Sequence, residues 1–142
     1  MLKFTRCSML VLLLLIAGIA SAKDPYMQSG KTQLQKAQAH LMVAGKDKTG
    51  YRDRALALVY WAISEVDLGM NSDHHASPKS EMTNVSTAPG LSEMQKTLGY
   101  LKQAKENLEA AQEDAGGHRN KAIEYTSRAM AEVEKALAAP AG

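Results

Sequence analysis

The sequence predicts an all-α protein, an antiparallel four-helix bundle made of two homologous helical hairpins. Apolar residues recur at steps of three and four in four stretches, and no stretch alternates apolar and polar residues with period two. The chain also matches itself without a gap at an offset of 67, where 11 of the 39 pairs between residues 31–69 and 98–136 are identical. Such self-similarity indicates an internal duplication. The identical pairs are Leu34/Leu101, Ala37/Ala104, Leu41/Leu108, Ala44/Ala111, Asp47/Asp114, Gly50/Gly117, Arg52/Arg119, Ala55/Ala122, Ala62/Ala129, Glu65/Glu132 and Val66/Val133.

Residues 1–22 have the features of a secretory signal peptide. Lys3 and Arg6 form a basic start, residues 9–20 are apolar, and Ala20-Ser21-Ala22 fits the small-x-small cleavage pattern. The apolar run is short for a bilayer, so no stable membrane span is expected after cleavage. We therefore expect a periplasmic or secreted protein, with residues 23–142 forming one domain.

The composition of the expected mature chain excludes several classes of function. It carries 15 basic and 15 acidic residues, and this balance disfavours nucleic-acid binding, which depends on concentrated positive charge. Cys7, the only cysteine, lies in the signal peptide, so neither a disulfide nor thiol chemistry is expected. The mature chain has no phenylalanine and one tryptophan, so alanine and leucine must dominate its core.

The first predicted hairpin covers residues 23–69. Helices are expected over residues 27–46 and 51–69. Their apolar stripes comprise Leu34, Ala37, Leu41 and Ala44, then Ala55, Leu58 or Val59, Ala62, Ile63 and Val66. Residues 70–90 follow, rich in Ser, Pro, Asn and Thr, and this composition predicts a flexible linker.

The second predicted hairpin covers residues 91–142, with helices over 91–113 and 118–138. Their stripes comprise Leu91, Met94, Leu98, Leu101, Ala104, Leu108 and Ala111, then Ala122, Ile123, Tyr125, Ala129, Met130, Val133, Ala136 and Leu137. Helices of about twenty residues are marginal alone in water, and a single hairpin buries only one seam. Two hairpins packed face to face would close the core as a four-helix bundle. The sequence leaves open whether hairpins are exchanged between chains in a homo-oligomer.

A turn with the same chemistry is expected in each hairpin. Its residues are Asp47, Gly50 and Arg52 in the first copy and Asp114, Gly117 and Arg119 in the second. The aspartate can cap the following helix, and the glycine allows positive φ. The arginine lies near a helix start, where a cation is disfavoured, so it should fold back onto the aspartate or onto the last carbonyls of the preceding helix. We interpret the turn as structural; a ligand-recognition corner used twice is the alternative.

The second hairpin carries a short motif with a resemblance to known proteins. Its Gly116-Gly117-His118-Arg119, followed by Lys121-Ala122-Ile123 and Glu132-Val133, resembles a group of uncharacterised bacterial exported proteins whose helical hairpins are joined by a Gly-Gly-His-Arg turn. The first half departs from this pattern with Thr49-Gly50-Tyr51-Arg52. More distantly, the chain is similar to the small metal-binding protein family of bacterial periplasms. That resemblance implies helical bundles and metal binding, although the family is rich in histidine and this chain has four.

The best candidate metal site lies in and beside the predicted linker, at Met70, His74, His75 and Met82. Imidazole and thioether ligands suit copper, and adjacent histidines also bind nickel or zinc. Ordering such a loop costs about 1–2 kcal/mol per residue, and adjacent histidines in a polar linker are commonly solvated. His40 and His118 lack a second ligand at helical spacing and are expected to be surface or packing residues. A periplasmic metal-binding or metal-buffering protein is therefore the alternative function.

The preferred function is a non-enzymatic binding or structural module of the cell envelope, without a cofactor. No Gly-x-Ser-x-Gly motif and no cysteine nucleophile occurs in the mature chain. Tyr60 and Trp61 are adjacent on the second helix, where successive residues diverge by about 100°, so at least one should lie at an edge or on the surface. Both residue types are favoured at protein contacts, which makes them a candidate surface for a protein or envelope partner. Partial burial under residues 70–90 is the alternative.

Overall fold

The computed structural model describes residues 24–45, 48–71 and 92–139, which form four helices and contain no strand. The helices are α1 (Pro25–Val43), α2 (Tyr51–Asn71), α3 (Glu93–Ala110) and α4 (His118–Ala138). The predicted all-α four-helix bundle is confirmed. None of the described helices combines the length and the apolar character needed to cross a membrane.

Contacts between the hairpins set the direction of each helix. α1 packs mainly against α3 and α2 mainly against α4, while the packing within each hairpin is less extensive. His40, near the end of α1, contacts Glu93 at the start of α3. Glu65, in the second half of α2, contacts His118 at the start of α4. Each helix therefore runs antiparallel to both of its neighbours.

Side-chain caps place the first residues of α1 and α3 within two residues of their predicted positions. α1 begins at Pro25, which has no N–H to satisfy, and the Asp24 carboxylate accepts two N–H groups of the first turn at 2.8 and 3.3 Å. α3 begins at Glu93 after a capping box, in which Ser92 and Gln95 each accept the other's backbone N–H. These caps explain why α1 begins two residues before its predicted start and α3 two residues after.

The ends of α1 and α3 come three residues earlier than predicted. Ala44 and Ala111, which occupy the same position in the repeat, have ψ of 138° and 156° and so leave the helical conformation. Both side chains are nevertheless buried, which is why the apolar stripe continued beyond the helix in the sequence.

Corresponding residues of the two halves fill the core. The expectation that alanine and leucine dominate it is confirmed, and small side chains allow helices to approach closely. Thr97 and Thr126 are buried, and each hydroxyl donates to the carbonyl four residues earlier, at 2.9 and 2.7 Å. The buried pairs are Leu34/Leu101, Ala37/Ala104, Leu41/Leu108, Ala44/Ala111, Ala55/Ala122, Val59/Thr126, Ala62/Ala129 and Val66/Val133.

Candidate binding surface

The two hairpin corners make the same hydrogen bonds. Nε of Arg52 donates to the Leu41 carbonyl at 2.6 Å, and Nε of Arg119 donates to the Leu108 carbonyl at 2.7 Å. A second guanidinium nitrogen of each arginine donates to the next carbonyl, at 3.1 and 2.7 Å. These carbonyls lie in the last turns of α1 and α3, where the helix end leaves backbone acceptors incompletely satisfied. The arginines thus fold back onto the preceding helix, and the geometry favours a structural corner over ligand recognition.

A glycine lies in each corner, and an aspartate caps the helix that follows the second corner. Gly50 and Gly117 have φ of 71° and 66°, where a side chain would be strained. The Asp114 carboxylate accepts the backbone N–H groups of His118 at 2.9 Å and Arg119 at 2.8 Å, so it caps α4 from outside the helix. Asp47, its counterpart in the repeat, lies outside the described residues.

Asp114 is expected to link stability to pH. Burial would raise the pKa of this carboxyl, but the hydrogen bonds from Arg119 and His118 outweigh burial and hold its pKa below the usual 3.8. A carboxyl whose folded pKa is depressed stabilises the fold above its unfolded pKa, and that contribution is lost as pH falls through the folded pKa. Asp114→Ala should therefore cost about 1 kcal/mol at neutral pH and progressively less in acid.

Urea unfolding at neutral and acidic pH measures this effect. Glu106→Ala, at an exposed position on α3, is the matched control. If Asp114 caps α4, Asp114→Ala should lower the free energy of unfolding at neutral pH and Glu106→Ala should not. Equal effects of the two substitutions would contradict it.

Two histidine–glutamate pairs join the hairpins near opposite ends of the bundle. His40 is 2% exposed, bonds the Glu93 carboxylate through Nδ1, and stacks on Tyr100 with ring centroids 5.2 Å apart. His118 Nδ1 lies 2.7 Å from the Glu65 carboxylate. Both histidines therefore lie at helix interfaces, and each connects one hairpin to the other.

The described residues give no support to a metal site. Within them, no three His, Cys, Asp or Glu side chains form a group that could hold a metal ion. Met70, at the end of α2, packs against the core. His74, His75 and Met82 lie outside the described residues, so the metal hypothesis stays a prediction.

A groove between α2 and α4 is the strongest candidate for a binding surface. Its volume is 460 Å³, and we call it the Trp61 groove. Trp61 is 57% exposed. The centroids of its ring and of the Tyr125 ring are 6.5 Å apart, and the two ring planes are tilted by 33°. Tyr60 is 51% exposed but does not line the groove. The lining residues are Arg54, Ala57, Leu58, Trp61, Arg128, Ala131, Glu132 and Lys135.

The lining of the groove has an excess of positive charge, with three cations and one carboxylate. Glu132 accepts hydrogen bonds from Lys135 and Arg54, both at 2.7 Å, and these bonds lower the pKa of its carboxyl. Arg128 lies 3.7 Å from Glu124, with both side chains more than half exposed. An exposed pair of this kind contributes little, so the Arg128 guanidinium can exchange its partner at small cost.

The sequence indicates the tryptophan as a contact residue, but it does not indicate the cations around it. Arg128 and Lys135 lie on α4, and only the packing of α4 against α2 brings them to Trp61. One indication was present in the sequence, because Trp61 and Arg128 occupy the same position of the repeat.

Comparison of the chain with protein-family models, curated proteins and solved structures found no match.

Proposed function

We propose that this protein is an exported, non-enzymatic binding module of the cell envelope, which contacts its partner through the Trp61 groove. The observation that carries the proposal is a tryptophan more than half exposed beside a concave surface. Tryptophan and arginine are the residues most enriched at the energetic centres of protein interfaces. Trp61 is not among the buried residues that fill the core, so most of its ring is available to a partner.

The other chemical groups support the same proposal. Arg52 and Arg119 bind helix ends, and His40 and His118 join the hairpins through carboxylates. Each therefore has a structural role. Among the described residues, the Trp61 groove combines an exposed aromatic side chain, positive charge and a concave shape.

Site-specific photocrosslinking in cells tests this function. A photoreactive amino acid replaces Trp61 in one strain and Lys102, which is exposed on α3 outside the groove, in the control strain. Irradiation should give a discrete crosslinked product for position 61 and not for position 102. The proposal is wrong if neither position crosslinks or if both give the same products.

A further inference from the structure

We infer that the Trp61 groove binds an acidic peptide segment of a partner protein, one in which carboxylates flank an apolar side chain. The inference rests on the proposed function and adds the chemistry of the partner. Two features of the groove carry it: the apolar floor beside Trp61, and the three cations along its length.

The floor of the groove fits an apolar anchor. Ala57 on α2 and Ala131 on α4 both line it, and Leu58 and Trp61 supply the larger apolar surfaces. Because the two alanines are small and exposed, they leave room beside Trp61 for an apolar side chain of the partner. Binding sites of this size combine an apolar lining with a few polar groups that fix orientation.

The charges select for carboxylates. Arg54 and Lys135 share Glu132, so one half-buried carboxylate binds two cations. Arg128 pairs only loosely with Glu124. Since the lining has more cations than anions, a partner with carboxylates would complete the charge balance, whereas a basic segment would be repelled. Arginine also suits carboxylates geometrically, through paired N–H···O bonds.

Two other occupants fit the groove less well. In a two-fold dimer built on this surface, the same patch faces itself, so the cations of one copy would meet those of the other. An anionic membrane surface would match the cations, but it would repel the Glu132 carboxylate that lines the same groove.

Selection from a short-peptide display library tests the inference without assuming a sequence. Wild-type protein should enrich peptides with Asp or Glu on both sides of a large apolar residue. Arg128→Glu/Lys135→Glu should lose that enrichment, and Lys102→Glu should keep it. A selected peptide should shift the fluorescence of Trp61, the only tryptophan. The affinity of this peptide should be about tenfold or more lower for Arg128→Glu/Lys135→Glu than for the wild type. High ionic strength should weaken its binding to the wild type by a similar factor.

The outcomes separate this inference from the proposed function. Enrichment that is lost in a Trp61→Ala variant but shows no preference for carboxylates would overturn the acidic partner and leave the groove as the contact surface. Binding to anionic phospholipid vesicles with no peptide enrichment would replace the peptide by a membrane. Absence of any Trp61-dependent enrichment overturns the inference, and the crosslinking at position 61 then decides whether the proposed function survives.

Discussion

Replacing Leu108 with alanine is expected to lower the free energy of unfolding by about 2–5 kcal/mol, the usual cost of emptying a fully buried leucine site. Leu108 has no exposed surface and packs where α3 meets α1. The measurement is chemical denaturation followed by circular dichroism. Leu137→Ala is the matched control, because this leucine is 40% exposed on α4 and should change stability by less than about 1 kcal/mol.

The same leucine explains a glycine in the second turn of α1. A Cβ built on Gly30 would lie 2.9 Å from Cδ2 and 3.0 Å from Cγ of Leu108, so Gly30→Ala should destabilise the protein by about 1–3 kcal/mol. In the Leu108→Ala background the clash is removed. Gly30→Ala should there stabilise the fold by up to about 1 kcal/mol, the gain in helix propensity.

Gly99, on α3, provides the control for this double-mutant cycle. No atom lies within 4 Å of a Cβ built there, so Gly99→Ala should be stabilising in both backgrounds. Residues in contact are expected to show a coupling energy in such a cycle. The proposed contact would be contradicted if the changes in unfolding free energy caused by Gly30→Ala and Leu108→Ala simply add.

Arg119→Met should cost about 2–3 kcal/mol, because it removes two charge-assisted hydrogen bonds to the end of α3. Arg52→Met should have a similar effect on the first hairpin, and the two losses should add. Arg119→Lys should recover only part of the stability, since an ammonium lacks the planar fork of donors. Urea denaturation measures all these variants.

Arg128→Met is the control for the corner arginines, because Arg128 is 60% exposed and pairs only loosely. If Arg119→Met is no more destabilising than Arg128→Met, the corner arginine is not structural, and ligand recognition becomes the better explanation for its repetition.

Much of the bundle could be predicted from the spacing of small apolar residues. The period of 67 placed equivalent residues in equivalent core positions, as with Leu41 and Leu108. The turn chemistry was equally informative, since a cation near a helix start is unfavourable unless it binds the preceding helix. Helix ends were less predictable: Ala44 stays buried after the chain has left the helix, so the pattern continues past the end of α1.

The groove could not be predicted to the same extent. Trp61 stood out because two adjacent aromatic residues cannot both face one seam. Its neighbours Arg128 and Lys135 lie more than sixty residues away and reach it only because α4 packs on α2. The His40–Glu93 pair was missed for the same reason, since nothing local in the sequence relates α1 to α3.

The most direct test of the Trp61 groove as the contact surface uses this tryptophan alone. Protein labelled with fluorotryptophan has one fluorine resonance, because the chain has one tryptophan. Its spectrum is recorded in buffer and in unlabelled envelope extract, for the wild type and for Arg128→Glu/Lys135→Glu. We expect the resonance to shift or broaden in extract for the wild type only. A resonance that stays sharp and unshifted in extract for the wild type would contradict the account.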